Sequence, residues 1–186
     1  MAITSNIQIN KNGLCVNEVE NIIINDKKRD ISSVSSGAEK KEAIREKVFI
    51  IHGHNEGKWR ELQSILQSIN IEAIELSMVT MNGKTIIEKF ENIASQCKFA
   101  IAIFTYDDSI HKGDKNYLQV RPNVIFELGW FFAKLGRENV MIIEEINSEG
   151  RIFSDLDGIY RYKFHDNIKE LYGDIINALK EANIIQ

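Results

Sequence analysis

Long apolar runs are missing from this chain: no stretch approaches the ~18 consecutive apolar residues that a membrane-spanning helix needs. The N-terminus also lacks the basic-then-apolar layout of a secretory signal. A soluble, cytoplasmic protein is the reading that follows. Cysteine is scarce as well. The two present, Cys15 and Cys97, lie far apart and fall into no CxxC or Cys/His spacing, so neither a disulfide framework nor a zinc site is expected. Positive charge is not in excess: 23 Lys and Arg against 27 Asp and Glu give a net charge of −4. The densest basic cluster, Lys27-Lys28-Arg29, stands in a polar stretch, and a nucleic-acid surface would need more clustered Lys and Arg than that. Proline occurs once, at Pro122, and its position matters below.

What is present is ordinary globular composition, 44% apolar and 27% charged over 186 residues, enough for one domain with a full core and a tail. Residues 1–46 read as the tail. Short Ile/Val patches there flank Asn12-Gly13, a pair suited to a small hairpin, and give way to a linker-like Ile31–Gly37 and a charged run to Glu46. This extension holds seven basic and seven acidic side chains, so the whole charge excess belongs to residues 47–186.

From Lys47 onward, strand-length apolar runs alternate with helical patterns, the signature of a parallel sheet covered by helices on both faces. Val48–Ile51, Ile71–Glu75, Phe99–Phe104, Val140–Ile143 and Ile159–Lys163 are the expected strands. The first, third and fourth are apolar throughout, as strands buried on both faces must be. The helical stripes are Trp59/Leu62/Ile65/Leu66/Ile69, Ile86/Ile87/Phe90/Ile93/Ala94, Val124/Leu128/Phe131/Leu135 and Ile168/Leu171/Tyr172/Ile175/Ile176/Leu179. Only Phe153–Leu156 is available to cross between the last two strands. Right-handed crossovers then favour an α/β, flavodoxin-like sheet of order 2-1-3-4-5.

Ligands in such sheets bind beyond the carboxyl ends of the strands, which here carry His52-Gly53-His54-Asn55, Ser77–Lys84 and the loop from Thr105 to Arg121. His52 and His54 flank a glycine that lets the backbone approach a ligand, next to a helix N-terminus that favours phosphate. Either histidine can equally serve to pack or cap the loop. Asn82-Gly83-Lys84-Thr85 lacks the first glycine of a phosphate loop, because Met78 stands in its place. Thr85 with Glu88 reads instead as a helix capping box. Lys84 can reach a phosphate, pair with an acid, or stay in solvent. Asp107-Asp108 suits a turn or a ribose contact.

Pro122 fits the first position of a helix, where its missing N–H is not needed. Arg121 and Asn123 bracket it as substrate contacts or orienting groups. Glu127 then falls one turn in, on the apolar face of a helix that is hydrophobic nearly all round. A carboxylate there needs a counter-charge, a solvent-filled cleft or a function. Arg121 and Lys84 are the candidate ion-pair partners. Trp130, Phe131 and Phe132 read as core.

The segments VFIIHGHNEGKWREL, GKTIIEKFENIA, AIAIFTYDD, RPNVIFELGWFFAKLGRENV and FSDLDGI, in that order and spacing, resemble the TIR-like domain of bacterial antiphage effectors, in which it is joined to STING or cyclic-nucleotide-binding sensor domains. The resemblance covers residues 47–186, with NVIFELG as its most specific part. It implies an NAD⁺ glycohydrolase that needs no cofactor besides its substrate NAD⁺. It further implies activation by self-association through TIR domains, depletion of NAD⁺ in the infected cell, and Glu127 as the catalytic glutamate. His52, Gly53, His54, Lys84, Asp107, Arg121 and Asn123 are then the candidate substrate-binding residues. Two other readings stay open: a non-catalytic TIR adaptor or nucleotide-binding module, and a nucleoside deoxyribosyltransferase-like N-glycosidic enzyme. Residues 1–46 are too short for an ordinary cyclic-nucleotide sensor, so the trigger is expected from a further domain, a separate subunit, or that extension itself.

Overall fold

The computed structural model describes residues 45–78, 83, 85–147, 149–151 and 154–186. The expected Asn12-Gly13 hairpin, the linker and Lys84 lie outside the described residues. In chain order the elements are β1 (Lys47–Ile51), α1 (Glu56–Ser68), β2 (Glu72–Ile74), α2 (Ile86–Ala94), β3 (Phe99–Phe104), β4 (Asp108–Lys112), β5 (Lys115–Gln119), α3 (Pro122–Leu135), β6 (Val140–Glu145), β7 (Gly150–Arg151), β8 (Tyr162–Phe164) and α4 (Tyr172–Glu181).

The main sheet runs β2-β1-β3-β6-β8 with every pairing parallel, which is the expected α/β order. Its central strands are apolar over 48–51, 99–104 and 140–143 because successive side chains point to opposite faces and both faces are covered. Val48, Ile50, Ile101 and Ile103 pack with Leu62 and Leu66 of α1 and Ile175 and Leu179 of α4. Phe49, Ile51, Ala100 and Ala102 face the other way, against Phe90 of α2 and Leu128 and Phe131 of α3. Phe49 and Phe131 meet with ring centroids 4.9 Å apart, and Phe90 meets Phe131 edge-on at 5.9 Å. Each such fully buried side chain contributes ~1.5–3 kcal/mol. Phe131 belongs to this core, and Trp130 and Phe132 pack against it.

Local signals hold where the chemistry is local. Thr85 and Glu88 form the expected capping box of α2, and Pro122 opens α3 at its first position. Among the described residues no helix is long and apolar enough to cross a membrane.

Three expectations are corrected. The last strand is Tyr162–Phe164 rather than Ile159–Lys163, because the approaching chain curls around Arg161. That guanidinium takes up the carbonyls of Leu156 at 2.7 Å and Ile159 at 3.2 Å, and holds Glu144 at 2.8 Å. The Thr105-to-Arg121 segment is no loop. It contains the hairpin β4–β5, which β7 joins to make a second sheet of order β4-β5-β7. Gly113 turns it with φ +63°, at the first central position of a two-residue connection between Lys112 and Lys115. Finally, Ile86 and Ile87 do not pack on the sheet. They are 62% and 56% exposed, because α2 begins there and its first turn overhangs the rim.

Tyr106 joins the second sheet to the main one. Its hydroxyl donates to Glu144 at 2.5 Å, and a Cβ added to Gly150 would come within 2.5 Å of its ring, so only glycine lets β7 lie this close.

Candidate active site

The loops after β1 and β2 and the start of α3 enclose a cleft of about 340 Å³, lined by His52, Glu75, Lys89, Arg121, Asn123 and Glu127 among others. It lies where the doubly wound topology places ligands. Each wall has a local cause.

The β1 wall begins with His52, whose ring stacks on Trp59 of α1 at 5.4 Å with planes 26° apart. Its Nδ1 lies 2.9 Å from the Gly53 carbonyl. That carbonyl only accepts, as does the carboxylate facing Nε2, so a neutral ring donates to one of the two. Nε2 faces a carboxylate oxygen of Glu75 at 3.3 Å.

Glu75 follows β2 and is only 2% exposed. It accepts the Ser77 N–H at 2.7 Å and the Ser77 hydroxyl. Burial pushes its pKa up, yet the Ser77 hydrogen bonds and His52 outweigh that and hold it below the usual glutamate value. Glu75 is therefore the charged carboxylate of the cleft.

Glu127 is its counterpart. Burial is the first cause raising its pKa and the negative charge of Glu75 the second; Arg121 pulls the other way, and the result is about 7. Among the described residues Glu127 makes no hydrogen bond or ion pair. Arg121 does not pair with it directly, since its Nη1 sits on the His54 ring, 2.8 Å from Nδ1. Two carboxyls with pKa values driven apart in one cleft are a common arrangement of acid–base and electrostatic catalysts.

Beside the cleft, Asp107 ties the β3 loop to the β1 loop. It accepts the His54 N–H at 2.9 Å and the Thr105 hydroxyl at 2.7 Å. Gly53 permits this approach, because a Cβ there would stand 2.5 Å from the Asp107 carboxylate. Asn55 caps α1 by accepting the Lys58 N–H.

Of the residues singled out from sequence, His52, Arg121, Asn123 and Glu127 line the cleft. Gly53, His54 and Asp107 form its adjoining rim through the contacts above, and Lys84 lies outside the described residues. Glu75 and Lys89 were not foreseen. A glutamate closing a mostly apolar strand is the one signal that pointed to the first. Lys89 shares a helix face with the cleft-lining Ile86 three residues earlier, and that spacing was the only sign of the second. Among the described residues no group of three or more His, Cys, Asp or Glu has metal-site geometry.

The chain is similar to several known proteins. Protein tirC of Dictyostelium discoideum is 37% identical over 141 residues, covering 70% of each chain. Protein YuaY of Escherichia coli K12 is 37% identical over 118 residues, 62% of this chain and 39% of that one. The Pycsar effector protein PaPycTIR of Pseudomonas aeruginosa is 40% identical over 73 residues, 39% of this chain and 24% of that one. The chain thus spans well under half the length of these two bacterial relatives. The family described as CAP12/Pycsar effector protein, TIR domain, matches residues 47–166. That match begins at β1 and ends just past β8, so it takes in the whole parallel sheet, and the chain belongs to the CAP12/Pycsar effector TIR-domain family.

Proposed function

We propose that this domain is the effector part of an antiphage defence protein and cleaves NAD⁺ at the nicotinamide–ribose bond, with Glu127 as its catalytic carboxylate. The reading rests on one observation: among the described residues the Glu127 side chain has no bonded partner in the cleft, and its pKa is raised to about 7 by burial and by Glu75. Unspent charge of that kind suits a group that meets positive charge only when substrate is present.

The chemistry needs little else. Breaking the C1′–N bond leaves oxocarbenium character on the ribose and releases nicotinamide as a neutral leaving group, so no general acid is required. An ionised Glu127 stabilises the developing charge and orients the ribose hydroxyls, as carboxylates do in glycosidases. Water then adds at C1′, giving ADP-ribose and one proton. His52, Asn123 and Arg121 supply further polar contacts around the ribose. Pycsar effectors among the relatives motivate the regulation: self-association through TIR domains activates the enzyme, in response to a sensor domain or subunit that detects a cyclic nucleotide.

The test is chromatography of NAD⁺ and of nucleosides incubated with the full chain at rising protein concentration and with crowding agents. Nicotinamide should appear from NAD⁺ alone, with specific activity rising with concentration. Glu127→Gln, still folded by circular dichroism, should lose at least about a hundredfold. Intact NAD⁺ at every concentration, or full activity in the variant, sinks the proposal.

A further inference from the structure

Lys89 stands out as a cation whose use the fold does not explain. It lies in the second turn of α2 and is 8% exposed, yet its face of the helix is not the one that packs on the sheet. Phe90 and Ile93 do that, while Lys89 and Ile86 line the cleft. Among the described residues its side chain makes no hydrogen bond or ion pair. The neighbouring carboxylates do not claim it either. The charges felt by Glu127 are those of Glu75 and Arg121, and Glu75 is held by Ser77 and His52. Its stem is covered, but no side-chain nitrogen among the described residues is both buried and unpartnered, so the ammonium stays open to the cleft and offers three donors to whatever enters.

We infer that Lys89 is a phosphate-binding residue of the cleft, contacting the diphosphate of the dinucleotide. The inference rests on the NAD⁺ reading for the identity of the ligand, and on the cleft alone for its chemistry: a lysine with a covered stem that lines the site and has no ion-pair partner among the described residues. Arg121 lines the same cleft and adds a second positive charge to it. In the sequence only its spacing from Ile86 marks Lys89, since a lysine in an amphipathic helix ordinarily belongs to the solvated face.

ADP-ribose is a suitable probe, because it keeps the diphosphate and both riboses but has no bond for the enzyme to break. Calorimetric titration of the full chain should give saturable binding that weakens with added salt. Lys89→Met should weaken it at least about tenfold and flatten the salt dependence, while Lys89→Arg should stay within about threefold of the parent. Adenosine, which lacks phosphate, should respond to neither variant. Equal ADP-ribose affinity in Lys89→Met and the parent overturns the assignment even if NAD⁺ is cleaved. Undetectable binding by the parent overturns it too. Binding that is lost in Lys89→Met and restored by arginine upholds it, even in a protein that leaves NAD⁺ intact; in that event only the hydrolase reading fails.

Discussion

Replacing Glu127 by glutamine should stabilise the folded protein at alkaline pH and not at acid pH. The carboxyl goes from the ordinary glutamate value of 4.5 to about 7 on folding, so the folded chain binds its proton more tightly than the unfolded one. Below about pH 4.5 both states are protonated and the contribution to stability is fully present. As pH rises toward 7 the unfolded state releases its proton first, and stability is lost; above about 7 the loss is complete. At ~1.36 kcal/mol for each tenfold in proton affinity, the loss amounts to ~3 kcal/mol. Glutamine has the same shape and no proton to lose. For a chain of this size 1 kcal/mol moves the melting temperature by roughly 2–4 °C, so the variant should gain up to ~6–12 °C relative to the parent between about pH 4.5 and pH 8. Thermal unfolding of both proteins by circular dichroism, at fixed ionic strength along that range, reads the difference directly, and the titrations common to both cancel. A difference in melting temperature that stays flat across the range would falsify the buried-carboxyl account.

Three further perturbations have defined outcomes. Glu75→Gln removes the negative charge that helps raise Glu127, so the carboxyl carbon of Glu127, followed by NMR, should titrate at a lower pH than in the parent; an unmoved midpoint refutes the coupling. Tyr106→Phe deletes the hydroxyl that donates to Glu144 and should cost ~1.5–3 kcal/mol, seen as a lower urea midpoint at unchanged slope. Gly53→Ala drives a methyl group toward the Asp107 carboxylate and breaks its bonds to His54 and Thr105; nicotinamide release should fall several-fold while stability drops by no more than ~1–2 kcal/mol.

How much of this was legible in the sequence follows from where each signal originates. β1, β3 and β6 are readable because burial on both faces makes 48–51, 99–104 and 140–143 apolar throughout. The helix start at Pro122 and the cap at Thr85 are readable because both depend on neighbours within one turn. The β4–β5 hairpin escaped because its residues, from Asp108 to Gln119, are mostly polar and only Gly113 marks the turn; its partner β7 comes from a distant part of the chain. Ile159 was assigned to a strand by composition, while Arg161, a tertiary contact, decided otherwise. In the site, Glu127 was visible as a carboxylate against an apolar pattern. Glu75 and Lys89 were not, since charged residues at a strand end and on an amphipathic helix look solvated until the opposing wall is known.

The β4–β5 ribbon leaves the main sheet at Asp107 and returns to it at Arg121, and both of these residues grip His54, one through its backbone and one through its ring. The ribbon is thus clamped at its base, with its free end at the Gly113-Asp114 turn. Length added at that turn is decoupled from the cleft: doubling the two-residue connection costs on the order of 0.6 kcal/mol in chain closure and leaves the clamp as it is. The hairpin tip is a place where a peptide tag or fluorophore can be grafted without shifting either residue that holds His54.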